Sequence, residues 1–133
     1  DRSSGHKRLR LLAKPGSKEA EFLDEVAPVG DEIVVNKTAS GVFSSTNLHY
    51  ILTNLDIEAL FVVGVYTNEC VETTIRDACD LGYSVTMIED GCTTVTADLH
   101  RASIATLKDR YARVISTNEA IFDLETYVTL QAS

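Results

Sequence analysis

Four short β-branched runs recur along the chain at nearly even intervals, at residues 33–35, 60–65, 85–88 and 114–115. Their starts lie 27, 25 and 29 residues apart, the spacing of strand–helix–strand units. Apolar stripes of helical period fill the gaps. Leu48, Ile51, Leu52 and Leu55 fall at i, i+3, i+4 and i+7, with Ser45 or Thr46 as the expected cap. Val71, Ile75, Ala78 and Cys79 form a second stripe, backed by Glu72, Arg76, Asp77 and Asp80 and ended by Gly82. Ile104, Leu107 and Tyr111 mark a third helix starting near Thr96, with Asp98 in its first turn. The runs IVV and LFVVGV lack polar alternation, as strands covered on both faces do. The pattern predicts an α/β fold: an open, mainly parallel sheet with helices on both faces, three layers in a Rossmann-like arrangement with right-handed crossovers. Four strands make a thin sheet with a free edge, so the sheet is expected to be incomplete in this chain.

Composition narrows the function classes. Twenty acidic residues against twelve basic ones give 133 residues a formal charge of −8, which disfavours nucleic acid and anionic membranes as partners. No apolar run is long enough to cross a bilayer, and nothing resembles a signal peptide. Three cysteines without a CxxC pair argue against a disulfide framework, and a cytoplasmic setting follows as the expectation. Five of the fifteen Lys, Arg and His residues crowd between His6 and Lys14, so residues 1–27 read as an N-terminal arm or the remnant of a longer front. Residues 122–133 read as a tail, docked or disordered.

In open parallel sheets the ligand site lies beyond the carboxyl ends of the strands. Three reactive side chains fall there: Lys37, Cys70 and Asp90. Cys70 stands in or near the first turn of a helix, where the dipole and free N–H groups favour thiolate and can hold an oxyanion. From position alone it is either a nucleophile or a small buried hydrophobe. Lys37 is either a fixed charge beside that thiol or a snorkelling strand-end lysine. Asp90 reads first as a cap for the turn before Gly91. Cys79 and Cys92 read as packing residues; nine helical residues separate Cys79 from Cys70, which places them about 13 Å apart on opposite faces. His49 and His100 have no second histidine at ligand spacing, so no metal site is expected within the chain. No glycine-rich nucleotide loop follows any strand, and no cofactor is implied.

Taken together, VVNKTASGVF, the T-N-L after it, LFVVGVYTNECVETTIRDACDLGYSV, IEDGCTT and HRASIATL resemble the isochorismatase-like cysteine hydrolases. That family includes nicotinamidases, N-carbamoylsarcosine, ureidoacrylate and biuret amidohydrolases, and isochorismatase itself. The resemblance covers about residues 28–121, the expected hydrolase domain. Its most specific parts are Lys37 with Phe43 six residues on, and the Gly-x-x-Thr-x-x-Cys-Val turn at residues 64–71. The resemblance implies Cys70 as nucleophile and Lys37 as catalytic lysine. It also implies a cis peptide between Val65 and Tyr66, and an oxyanion hole from the N–H groups of Tyr66 and Cys70. It points to the amide-hydrolysing branch, with a small amide or ureido compound as substrate and a homo-oligomer, joined by the protein's own upstream segment, as the assembly. The family's third catalytic residue is an aspartate after its first strand. Asp1, Asp24 and Asp31 lack that setting, and the aspartate is expected upstream of this chain. Where nicotinamidases bind a metal, its ligands also come largely from that front half. The alternative reading is a non-catalytic or truncated binding or assembly module of the same fold. A redox-sensing thiol at Cys70 is a further rival, for which a resolving cysteine would be wanted nearby.

Overall fold

A computed structural model of the chain describes residues 3–10 and 13–131. Asp1 and the last two residues of the tail, Ala132 and Ser133, lie outside them. Helix α1 (Ser4–Leu9) starts at Ser3, whose hydroxyl accepts from the His6 N–H at 3.1 Å. Residues 13–47 are largely turns and bends, with 3-10 turns at Lys18–Ala20 and Asp24–Val26. The regular fold follows as α2 (Leu48–Asn54), β1 (Ala59–Val65), α3 (Glu72–Asp80), β2 (Ser84–Thr93), α4 (Ala97–Leu107), β3 (Arg113–Ile115) and α5 (Thr117–Gln131).

The strands pair in the order β1-β2-β3, all parallel, giving the expected α/β sheet with helices around it. One face is packed by α3 and α4: Val71, Ile75, Ala78, Val85, Met87 and Leu107 are buried together there. Residues of β2 alternate between faces. Ile88 therefore turns away from Val85 and Met87 and forms a second cluster with Ile115 of β3 and Ala120 of α5. The tail set off at residue 122 continues α5 as far as Gln131. Its apolar residues Ala120, Ile121, Leu124 and Val128 repeat at helical spacing with no glycine or proline between them.

Two expectations about strands change. Residues 33–35 form no strand; Ile33 and Val34 are half exposed. A β-branched run becomes a strand only where a neighbour accepts its ladder hydrogen bonds, and β1 pairs with β2 alone among the described residues. The run at β1 is also covered on one face only. Leu60 and Val62 pack inward, whereas Phe61, Val63 and Val65 are 44–59% exposed.

Local signals hold elsewhere. Gly82, at φ +95°, closes α3 in a Schellman arrangement, with Tyr83 N–H on the Ala78 carbonyl and Gly82 N–H on that of Cys79, both at 3.0 Å. Thr96 caps α4 through Leu99 N–H. At α2 the cap position is Asn47, while Thr46 Oγ1 accepts from Leu48 N–H at 3.1 Å.

The sheet is irregular at its carboxyl end. Val62 pairs with Met87, but Gly64 pairs with Cys92, so residues 88–91 of β2 bulge out of register with β1. Ile88 pairs instead with Ile115. A side chain at Gly91 would meet Val63 Cγ1 at 2.8 Å, so glycine permits the close approach of the two strands.

Candidate active site

The site forms just beyond the carboxyl end of β1, where the chain passes directly into a π turn, Thr67–Val71, and then into α3. Val71 N–H bonds the Tyr66 carbonyl at 3.2 Å and Glu69 N–H bonds the same oxygen at 3.1 Å. The Val65–Tyr66 peptide is cis. Cys70 is the fourth residue of this turn and is partly exposed.

Lys37 approaches from a loop rather than from a strand end. Its Nζ donates to the Ala39 carbonyl at 2.9 Å and stands 3.2 Å from Cys70 Sγ. Local hydrogen bonds shape that loop. Ser45 Oγ accepts from Thr38 N–H and donates to the Gly41 carbonyl, and Thr46 Oγ1 donates to the Val42 carbonyl. Phe43 stacks on the Tyr83 ring, with centroids 5.7 Å apart, and so fastens the loop to the core. Spacing from Lys37 to Phe43 thus separates the ammonium from an anchor. Gly41 is buried against α3; a Cβ there would lie 2.6 Å from Asp77 Oδ2 and 3.0 Å from Thr73 Cγ2.

Asp90 does not join this pair. Its carboxylate accepts from Thr117 Oγ1 and N–H, at 2.8 and 2.7 Å, and caps α5 rather than the turn before Gly91. Those bonds, the hydroxyl's first, hold its carboxyl below the usual range. Cys92 is buried, its thiol pushed up by burial and directed at the Val62 carbonyl. Cys79 packs against the core. Both read as structural residues. Asp24 and Asp31 are exposed. Among the described residues no carboxylate is hydrogen-bonded or ion-paired to Lys37 or Cys70. Nor do three His, Cys, Asp or Glu side chains gather closely enough to hold a metal ion.

Sequence reasoning gave no role to the polar groups behind the turn. Thr67 is fully buried, with Oγ1 2.9 Å from His100 Nδ1 on α4. Asn68 Oδ1 accepts from Thr94 Oγ1 at 2.5 Å. Ser103 Oγ meets Glu72 Oε2 at 2.5 Å, and Glu72 also receives a two-pronged bond from Arg76, whose guanidinium lies over the Tyr111 ring. The Thr of the Gly-x-x-Thr-x-x-Cys-Val turn was the available signal.

The chain is thus a parallel α/β domain in which a thiol and an ammonium meet at the carboxyl edge of the sheet. The comparisons are more specific. The family model for the isochorismatase domain matches residues 2–119, a span that takes in the basic run between His6 and Lys14, and the chain belongs to the isochorismatase family. It is 34% identical over 113 residues to the ureidoacrylate amidohydrolase RutB of Acinetobacter baylyi, covering 84% of this chain and 46% of that protein. An isochorismatase-like hydrolase from Alkaliphilus metalliredigens superimposes with a TM-score of 0.82 at 29% identity, over 86% of this chain and 63% of the other. A nicotinamidase from Staphylococcus aureus matches at 30% identity and a TM-score of 0.58, over 59% and 51%. The chain spans about half the length of several curated relatives that it matches. Among the described residues no helix is long and apolar enough to cross a membrane.

Proposed function

We propose that this chain carries the nucleophile half of a cysteine-dependent hydrolase that cleaves a C–N bond in a small amide or ureido compound. The observation that carries the reading is the 3.2 Å approach of Lys37 Nζ to Cys70 Sγ, two side chains 33 residues apart. Similarity to proteins named ureidoacrylate amidohydrolase and nicotinamidase supports the substrate class.

In the proposed reaction Cys70 thiolate attacks the substrate carbonyl carbon, forming an S–C bond as the carbonyl electrons move to oxygen. The N–H groups of Tyr66 and Cys70 receive that oxyanion, and the Lys37 ammonium offsets the charge around it. Collapse breaks the C–N bond, and the nitrogen leaves as ammonia or an amine after taking a proton. Water then adds to the thioester, and the S–C bond breaks to release the acid and restore Cys70. Protonation of the leaving nitrogen calls for a general acid, the role that the family resemblance gives to an aspartate.

The test is a panel of small amides and ureido acids screened for ammonia release, with mass spectrometry of the protein quenched during turnover. The expected result is slow ammonia release that disappears in Cys70→Ser, with any acyl mass increase confined to the peptide containing Cys70. Ammonia release that persists undiminished in Cys70→Ser would refute thioester chemistry at this residue.

A further inference from the structure

We propose that Thr67 and His100 are positioning residues, whose hydrogen bond ties the turn carrying Cys70 to α4 and sets how that thiol meets Lys37. The proposal rests on the reading of Cys70 as the nucleophile.

Thr67 follows Tyr66 directly and precedes Cys70 by three residues. Its side chain is fully buried, and a buried hydroxyl is tolerated only when its hydrogen bond is made. The partner, His100 Nδ1 at 2.9 Å, is 33 residues away on α4. The direction of that bond follows the histidine tautomer: Thr67 donates to an unprotonated Nδ1 and accepts from a protonated one.

The same helix holds the turn at a second place. Ser103 lies one turn beyond His100 on the same face, with Leu107 below it in the core. Ser103 has one hydroxyl proton and two acceptors, Glu72 Oε2 at 2.5 Å and the Thr67 carbonyl at 3.3 Å. The shorter, charge-assisted contact takes the proton, so Ser103 chiefly fixes Glu72 at the start of α3. Thr94, in the link between β2 and α4, holds Asn68. Thr67, Asn68 and Glu72 are therefore pinned by residues drawn from a single stretch, 94–103, and Cys70 lies between the pinned points.

Among the side chains of the described residues, Cys70 shares a hydrogen bond only with Lys37, across an exposed contact. Its sulfur position is set by the backbone of the turn, and the turn is set by Thr67 and its neighbours. Thr67→Val keeps the shape and removes the hydroxyl. Thr67→Ser keeps the hydroxyl. His100→Phe removes the ring nitrogen at the contact, and His100→Asn returns a polar atom near the Nδ1 position.

The experiment measures alkylation of Cys70 and Cys79 by iodoacetamide at pH 7 in the same sample, by peptide mass mapping, on the 133-residue chain and the four variants. Circular dichroism establishes that each is folded. Loss of one ordinary hydrogen bond corresponds to about a fivefold effect. Thr67→Val and His100→Phe are expected to slow Cys70 by about fivefold or more with Cys79 unchanged, while Thr67→Ser and His100→Asn stay within about twofold of wild type. A merely structural role would lower stability and leave the rate of the folded protein where it was. His100 is half-buried at the helix surface, so its variants decide the matter should Thr67→Val fail to fold. A wild-type Cys70 no faster than Cys79 sinks the nucleophile reading and this role with it. A fast wild-type Cys70 that is unchanged or accelerated in the folded His100→Phe overturns the positioning role alone.

Discussion

Lys37 Nζ lies 3.2 Å from Cys70 Sγ, although Lys37 is exposed on a loop and Cys70 sits in a π turn at the other side of α2 and β1. The loop brings its own constraint, the bond from Nζ to the Ala39 carbonyl, so the ammonium is held rather than free to sweep the surface. An ammonium held there can offset negative charge that builds on an oxygen beside the sulfur during an attack.

Labelling follows from that contact. Cys70 is expected to react with iodoacetamide faster than Cys79, which packs against the core, and faster than Cys92, whose thiol is buried and pushed up by burial. Lys37→Met should slow Cys70 by about 1.4-fold to fivefold, the span of an exposed charge pair worth about 0.2–1 kcal/mol. Time-resolved peptide mapping measures all three thiols at once. Equal rates at Cys70 and Cys92 would contradict the assignment.

The Lys37 loop depends on Gly41, where a methyl group would press on Asp77 Oδ2, Thr73 Cγ2 and Ser44 Oγ. Asp77 can swing away, but Thr73 belongs to α3 and moves only with the helix. Gly41→Ala is expected to cost about 1–3 kcal/mol in urea unfolding and to slow Cys70 labelling by displacing Lys37. Wild-type stability in that variant would show that the loop is looser than its hydrogen bonds indicate.

Much of this arrangement was legible in the sequence because it is local or periodic. The runs at residues 60–65, 85–88 and 114–115 became strands, and Thr96 and Gly82 bounded helices as their chemistry dictates. The run at 33–35 misled because strand identity depends on a neighbour, which β-branched composition does not supply. Helix α5 extended past residue 122 because its apolar period continued where a tail was expected. Lys37 and Cys70 were readable as separate candidates after strands and through the family motif. Thr67 was visible only as a motif position, and its ties to His100 and Ser103 were not, since pairs 33 and 36 residues apart have no periodic trace.

Leu107 ends α4 fully buried beneath Ile75 and Met87, which are fully buried too. Leu107→Ala leaves a cavity in the layer that seats α4 on the sheet. The expected cost is about 2–5 kcal/mol, a large part of a small domain's stability. Chemical denaturation with an unchanged slope is the measurement; a loss under about 1 kcal/mol would mean that the layer collapses to fill the space.

Acid should loosen the start of α5. Bonds from Thr117 hold the Asp90 carboxyl below its ordinary value, and the Ser116 N–H and hydroxyl do the same for Glu119. Carboxyls lowered in the folded state add stability above the ordinary carboxylate range, and that stability is lost as pH falls through the lowered values. Both groups are exposed, so the effect is modest and weakens with salt. Asp90→Ala is expected to melt below wild type at pH 7, with the gap closing as pH drops beneath the carboxylate range. Melting curves of the two proteins across pH 2–7 measure it, and a gap that persists at the acid end would assign the loss to packing instead of charge.

The final expectation concerns turnover. Attack by Cys70 needs only the thiolate, an oxyanion site and Lys37, but departure of nitrogen needs a proton delivered at the right moment. No carboxylate is hydrogen-bonded or ion-paired to Cys70 or Lys37 among the described residues, and Asp90 is committed to Thr117. Lys37 is a poor substitute, since giving up its proton removes the charge that offsets the oxyanion. The 133-residue chain is therefore expected to label readily at Cys70 yet to hydrolyse amides slowly, below the rate of about 1 per second at which ordinary enzymes begin. Steady-state ammonia release, compared with Cys70→Ser to remove background, measures this directly. Cys70-dependent turnover well above that rate would mean that a proton donor already serves the site, with Lys37 as the first candidate.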